Sequence, residues 1–345
     1  MGVTEVPGPE NSAGRDLVVI GASAGGVETL KRVVESLPAD LPATVCIVLH
    51  IAPDSPSMLA HILARSGPLP ARAAREGDAL RRSEILVAPP DRHLMVEDEH
   101  VHLSVGPREN GHRPAVDVLF RSAAEARGGR VIGVILSGTR GDGAVGLAAV
   151  KASGGGSIVQ DPEEALYAGM PTTALAHVAV DAVVPSELVA DTIVAMVKGE
   201  DPPPPAKHPR PKVDPSSGDP AVTVCPDCGG VLSEHLEANV PVWECRVGHR
   251  YSPEGLVDAQ AVSIESALWA AIRALDDRRR LLERMAEQCD ARGSIRSARS
   301  FRHRAQSASD QARAIRDALT RAAEVSLYKT EPDDAEAVTA QGGPR

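Results

Sequence analysis

The chain has 345 residues, a length that favours two or three domains. Apolar residues make up 43% and aromatics only 2%, so a sizeable core is available but aliphatic side chains and alanine must fill it. The formal net charge of -10 argues against a general nucleic-acid binder, no apolar run reaches membrane-span length, and the polar start MGVTEVPGPENSAG lacks the regions of a signal peptide. A cytoplasmic protein with no direct membrane insertion is expected.

In chain order, short β-branched runs recur at 17–20, 45–49, 85–88, 131–136 and 178–184. Helical patterns at 27–35, 57–65, 116–126 and 143–152 separate many of them. Continuous apolar strands alternating with helices predict a doubly wound α/β domain with a mainly parallel sheet over 15–199. Two runs around Glu97-Asp98-Glu99 predict an antiparallel hairpin beside that sheet. Residues 200–220 are proline-rich, so an extended, semi-rigid linker is expected.

The segment 221–255 has little apolar content of its own. It holds Cys225-Pro226-Asp227-Cys228 and, further on, Cys245 with His249. A C-x-x-C knuckle followed by C-x-x-x-H supplies four ligands at zinc-ribbon-like spacing. With all four positions filled by protein, such a site is structural, and closing it adds folding energy to a thin segment. His235 lies between the knuckles and is an alternative fourth ligand; chance spacing is the competing explanation. Cys46, inside a strand, is expected to be a small buried apolar residue. Over 256–324, apolar residues at alternating three- and four-residue spacing predict a helical hairpin broken at Arg292-Gly293-Ser294. Its arginine-rich surface is either a solvated face or a docking or homo-oligomerising surface. The polar tail 325–345 is expected to be disordered.

The turn Gly21-Ala22-Ser23-Ala24-Gly25-Gly26 admits three roles. A dinucleotide loop wants glycine where Ser23 stands and an acidic end to the second strand, which here is followed by His50. A serine capping the next helix is the plain explanation. The third role is a nucleophile, because Gly21–Gly25 fits G-x-S-x-G between strand and helix. A serine nucleophile needs a base and a group to orient it. His50 follows the second strand and Asp142 follows the strand 131–136, so both sit at carboxyl ends of strands with Ser23, where open α/β sheets place their sites. The order Ser, His, Asp differs from that of ordinary α/β-hydrolases.

With IGASAGG, VLHIAP, APPDRHL, HRPAVDVLF, VILSGTRGDGAVG and YAGMP in this order, residues 15–199 resemble the catalytic domain of the chemotaxis protein-glutamate methylesterases. The resemblance places the family's catalytic serine, histidine and aspartate on Ser23, His50 and Asp142. It implies hydrolysis of glutamate γ-methyl esters on methylated chemoreceptor-type helices, with deamidation of glutamines as a further activity and no cofactor for the chemistry. It also implies backbone N–H groups near Ala24 and Thr139 as oxyanion donors. Two features depart from the pattern. Few residues precede the first strand, so no receiver domain is expected and regulation would pass through separate proteins. Thr139-Arg140 stands where the family commonly has methionine and glycine. A non-catalytic adaptor that keeps the fold is the alternative function.

Overall fold

A computed structural model describes residues 14–51, 58–200, 202 and 223–328. Seven parallel strands form the main sheet, in the order β3-β4-β2-β1-β7-β8-β9. They are β1 (Leu17–Ala22), β2 (Thr44–Leu49), β3 (Ala71–Ala73), β4 (Glu84–Val87), β7 (Val131–Ile135), β8 (Gly156–Gln160) and β9 (Ala182–Val184). Hairpin strands β5 (His93–Glu97) and β6 (His100–Ser104) pair antiparallel as a separate sheet. The doubly wound architecture is the one the sequence predicts.

Alternation along the strands explains the two cores. Val18 and Ile20 of β1 face one layer, while Leu17 and Val19 face the other. On the first face, helices α1 (Gly26–Ser36), α2 (Leu59–Ser66) and α6 (Val189–Val197) bury Leu30, Leu63 and Ile193. On the second, α3 (Val116–Arg127), α4 (Ala144–Ala152) and α5 (Gly169–His177) bury Phe120, Leu147 and Ala174. β1 pairs with β2 on one side and β7 on the other. The chain therefore reverses its winding at β1, and a crevice opens beyond the carboxyl ends of these three strands.

The predicted strand at 178–184 is shorter. α5 extends to His177, and Val178 N–H still donates to Ala174 O, so only Ala182–Val184 joins the sheet. The linker lies almost entirely outside the described residues, as does the tail from 329. Strands β10 (Leu232–Glu237), β11 (Val240–Cys245) and β12 (Arg250–Tyr251) form a small antiparallel sheet around Cys225, Leu232, Cys245, Tyr251 and Leu256. Val240 and Val242 of β11 are buried in the second core. The segment is thus packed onto the α/β fold, and the described residues up to Gln260 form one compact unit.

A second unit starts at Ala261. It contains most of α7 (Pro253–Ala291) and α8 (Ile295–Tyr328), the latter running past the predicted end at 324. Ion pairs Asp276–Arg316 and Asp290–Arg302 fix the two helices as antiparallel. Ile272, Leu282, Ala298, Ala305 and Ala312 are buried, as the apolar stripe predicts. Among the described residues, no helix is long and apolar enough to cross a membrane.

Candidate active site

Ser23 stands on the turn between β1 and α1. Its N–H donates to Ser137 O at 2.9 Å and its carbonyl accepts from Gly26 N–H at 3.0 Å, which closes the turn tightly. Gly25 has φ of 73°, a left-handed conformation that glycine adopts without penalty. A Cβ at Gly25 would also meet Ser137 Oγ at 2.9 Å. Gly25 is the N-cap of α1, and no side chain caps that helix. The plain explanation of Ser23 as a helix cap is therefore not what the fold uses.

His50 leaves the end of β2 with its side chain only 5% exposed. Its Nε2 lies 2.7 Å from Asp142 Oδ2. The carboxylate accepts, so Nε2 carries the proton, and Nδ1 presents its lone pair. Among the described residues that Nδ1 is buried without a partner. The His112 ring stacks on His50 with centroids 3.7 Å apart and planes within 10°. Burial first, and then the neighbouring His50, lower His112 to about 3, so it stays neutral at ordinary pH.

Asp142 is fully buried and accepts four hydrogen bonds. Oδ2 takes His50 Nε2 and Val116 N–H (2.7 Å), and Oδ1 takes Asn110 Nδ2 (3.0 Å) and Asp117 N–H (3.2 Å). Val116 and Asp117 open α3, so the carboxylate sits at a helix N-terminus. Burial alone would raise its pKa, but the His50 bond and charge, with the Val116 N–H, hold it below the usual carboxylate range. Beside it, burial and then repulsion by Asp142 push Asp117 well above that range. Asn110 Nδ2 also donates to Asp117 Oδ2 at 3.0 Å, bridging both acids. His93 is held between Pro107 O, 2.9 Å from Nε2, and Ala115 N–H, which donates to Nδ1. Burial lowers its pKa.

Ser23, His50, Ile51, Arg108, Gly111, His112 and Arg113 line one open cleft of about 320 Å³. The fold thus gathers Ser23, His50 and Asp142 at the switch point. Ala24 adjoins Ser23, and its carbonyl accepts from Ser137 Oγ. Thr139 is exposed on the loop after β7, and Arg140 Nε approaches Asp258 at 3.9 Å. The sequence reading assigns no role to Asn110, Asp117 or His112. Their sequence signals are the polar run Glu109-Asn110-Gly111-His112-Arg113 before an apolar helix and, for His112 and Asp117, the motif HRPAVDVLF, in which neither is given a role.

The second cluster also assembles. The ligand atoms of Cys225, Cys228, Cys245 and His249 all lie within 4.8 Å of one another. Cys228 and Cys245 sulfurs are 3.6 Å apart, and His249 Nδ1 lies 3.6 Å from Cys225 Sγ and 3.5 Å from Cys245 Sγ. A tetrahedral zinc with Zn–S of about 2.3 Å sets its sulfurs about 3.8 Å apart, whereas a disulfide needs about 2.05 Å. The donor set and its edges fit a metal. His235 is outside the cluster, 41% exposed and 3.9 Å from Glu244.

Residues 18–193 match the CheB methylesterase family, about half of the chain. The chain belongs to that family. It is 37% identical over 197 residues to protein-glutamate methylesterase/protein-glutamine glutaminase 2 of Methanosarcina mazei, covering 55% of this chain and 54% of the relative. It is 42% identical over 177 residues to the enzyme of the same name from Anaeromyxobacter dehalogenans, covering 51% and 52%. The chain therefore spans about half the length of these CheB relatives. The crystal structure of the Thermotoga maritima CheB methylesterase catalytic domain superposes with a TM-score of 0.51 at 31% identity. It covers 53% of this chain and 98% of that one.

Proposed function

We propose that the chain is a serine hydrolase that cleaves glutamate γ-methyl esters on chemoreceptor-type signalling helices in the cytoplasm. The observation that carries this reading is the His50–Asp142 pair, with an unpartnered Nδ1, in the same cleft as Ser23. Ser23 Oγ attacks the ester carbonyl carbon while His50 Nδ1 takes the hydroxyl proton. Asp142 holds Nε2–H and stabilises the imidazolium. The N–H groups of Ala24 and Thr139 are assigned to the oxyanion, because those of Ser23 and Gly138 are committed to Ser137 O and Tyr167 O. His50 returns the proton to the methoxy oxygen, and methanol leaves. Water then adds to the acyl-enzyme, His50 takes its proton, and Ser23 departs reprotonated from free glutamate. A glutamine side chain would follow the same route with ammonia leaving. No cofactor enters these steps.

Arg108 at the cleft rim complements the acidic surface expected around a methylated glutamate, whereas Arg113 is committed to Asp91. The arginine-rich helical hairpin is assigned to docking, either on regulatory proteins or on a second copy. The test is methanol release from methylated receptor fragments. Wild type should release it and Ser23→Ala should not, a loss of about 10⁴-fold or more. Absence of release by wild type on several receptors would overturn the reading in favour of a non-catalytic adaptor.

A further inference from the structure

The ribbon that carries the cysteine cluster is bonded directly to the loop that supports the reaction centre. Arg250, one residue beyond His249, accepts from Asn110 N–H at 2.8 Å, and its own N–H donates to Arg108 O at 3.4 Å. Ser252 N–H donates to Asn110 Oδ1 at 2.8 Å. The other end of the same amide, Nδ2, donates to Asp142 Oδ1. Asn110 is 2% exposed and sits at φ of 50°, a left-handed conformation in which asparagine is favoured. The packing leaves no slack, because a Cβ at Gly255 would fall 2.3 Å from Asn110 Oδ1. His112 is tied to the same loop by a reciprocal backbone pair with Glu109 and stacks on His50.

The geometry points to a zinc-dependent support for catalysis: Cys225, Cys228, Cys245 and His249 bind one zinc ion, and the ribbon it closes holds Asn110 as the positioning residue for Asp142. This inference rests on the hydrolase reading above. Three thiolates and an imidazole, with no fifth donor in the cluster among the described residues, select zinc over hard cations. Val240 and Val242 anchor β11 to the main core, but the ribbon's own core is small, Leu232, Tyr251 and Leu256 beside two of the cysteines, so the metal supplies the closure at the end that carries Arg250 and Ser252. Without it, Asn110 Oδ1 loses its donor and the amide is free to turn away from Asp142. The effect falls on the orientation of His50, which acts in the chemical step, and reaches the cleft through Arg108, whose carbonyl bonds Arg250.

The experiment uses the full chain. Metal analysis of protein purified without chelator should find about one zinc per chain. Removing the zinc with a chelator should lower kcat for methanol release about 10- to 100-fold, the scale of lost support around a reactive group, and raise KM as the Arg108 loop loosens. The low-field proton resonance of His50 Nε2–H in contact with Asp142 should weaken or shift in parallel. Ser252→Pro, made in zinc-loaded protein, removes the N–H that Asn110 accepts. Ser252→Ala loses only the hydroxyl and serves as its reference, so the pair decides the question even where zinc-free protein unfolds. A native chain without zinc, or zinc-free and S252P proteins that keep both kcat and the proton resonance of their references, would overturn the inference. If wild type releases no methanol, the hydrolase reading fails, while zinc content and the resonance still report on the support.

Discussion

Asp142 uses every acceptor site it has. Each carboxylate oxygen receives two N–H donors; those from Val116, Asp117 and Asn110 cannot accept in return, and His50 Nε2 does so only in the tautomer that puts the proton on Nδ1, the wrong one for a base. An asparagine here must aim its NH2 at two of them. Asp142→Asn should therefore lose stability as well as activity, by about 2 kcal/mol for the donors left facing a donor. If the proposed hydrolase reading holds, methanol release should fall by about 10⁴-fold, the scale seen when a triad aspartate becomes an amide. Urea unfolding and methanol release measure the two effects separately. Unaltered unfolding would mean that the loop around Asn110 rearranges to admit the amide.

Helix α4 illustrates how elements cap one another in this site. Its N-cap is Gly143, which has no side chain to bond the free N–H groups of the first turn. Asp117 of α3 does this from outside, its Oδ1 accepting from Gly143 N–H at 3.0 Å and Gly146 N–H at 2.6 Å. Asp117→Ala should cost about 2–3 kcal/mol, more than an ordinary surface cap, because the orphaned groups are buried. A drop in Tm of several degrees checks this, and an unchanged Tm would refute it. The same elements show what could be read in advance. β1, β2, α1 and α3 carry dense apolar patterns of clear period, and their ends locate Ser23 and His50 directly. β8 begins at Gly156 behind two further glycines, and α5 contains Pro171, so local propensity hides both. Asp142 was legible as a strand-end acid. Asn110, His112 and Asp117 were not, because their roles depend on partners distant in sequence, such as Ser252 for Asn110, that only the folded topology brings near.

At the scale of the whole molecule, the buried imidazoles tie stability to pH. His112 titrates near 3 in the fold, against an ordinary value of 6.5. Between those values the unfolded chain binds a proton that the native chain does not. Stability is then lost as pH falls below 6.5, at a rate approaching about 1.4 kcal/mol per pH unit from this residue. Buried His93, also lowered, acts in the same direction. Asp142, lowered in the fold, contributes stability above the ordinary carboxylate pKa and loses it as pH falls toward its depressed value. Asp117 opposes them: its raised pKa means the native state holds a proton, so its contribution is present at low pH and disappears as pH rises through the native value. The net curve mixes these terms, but a single substitution separates one of them. His112→Phe keeps a ring on His50 and removes the titrating group. Urea unfolding between pH 6.5 and pH 4 should give a clearly shallower decline for H112F than for wild type. Parallel declines would mean that His112 takes up its proton in the folded state, and that the stack on His50 opens in acid before the chain unfolds.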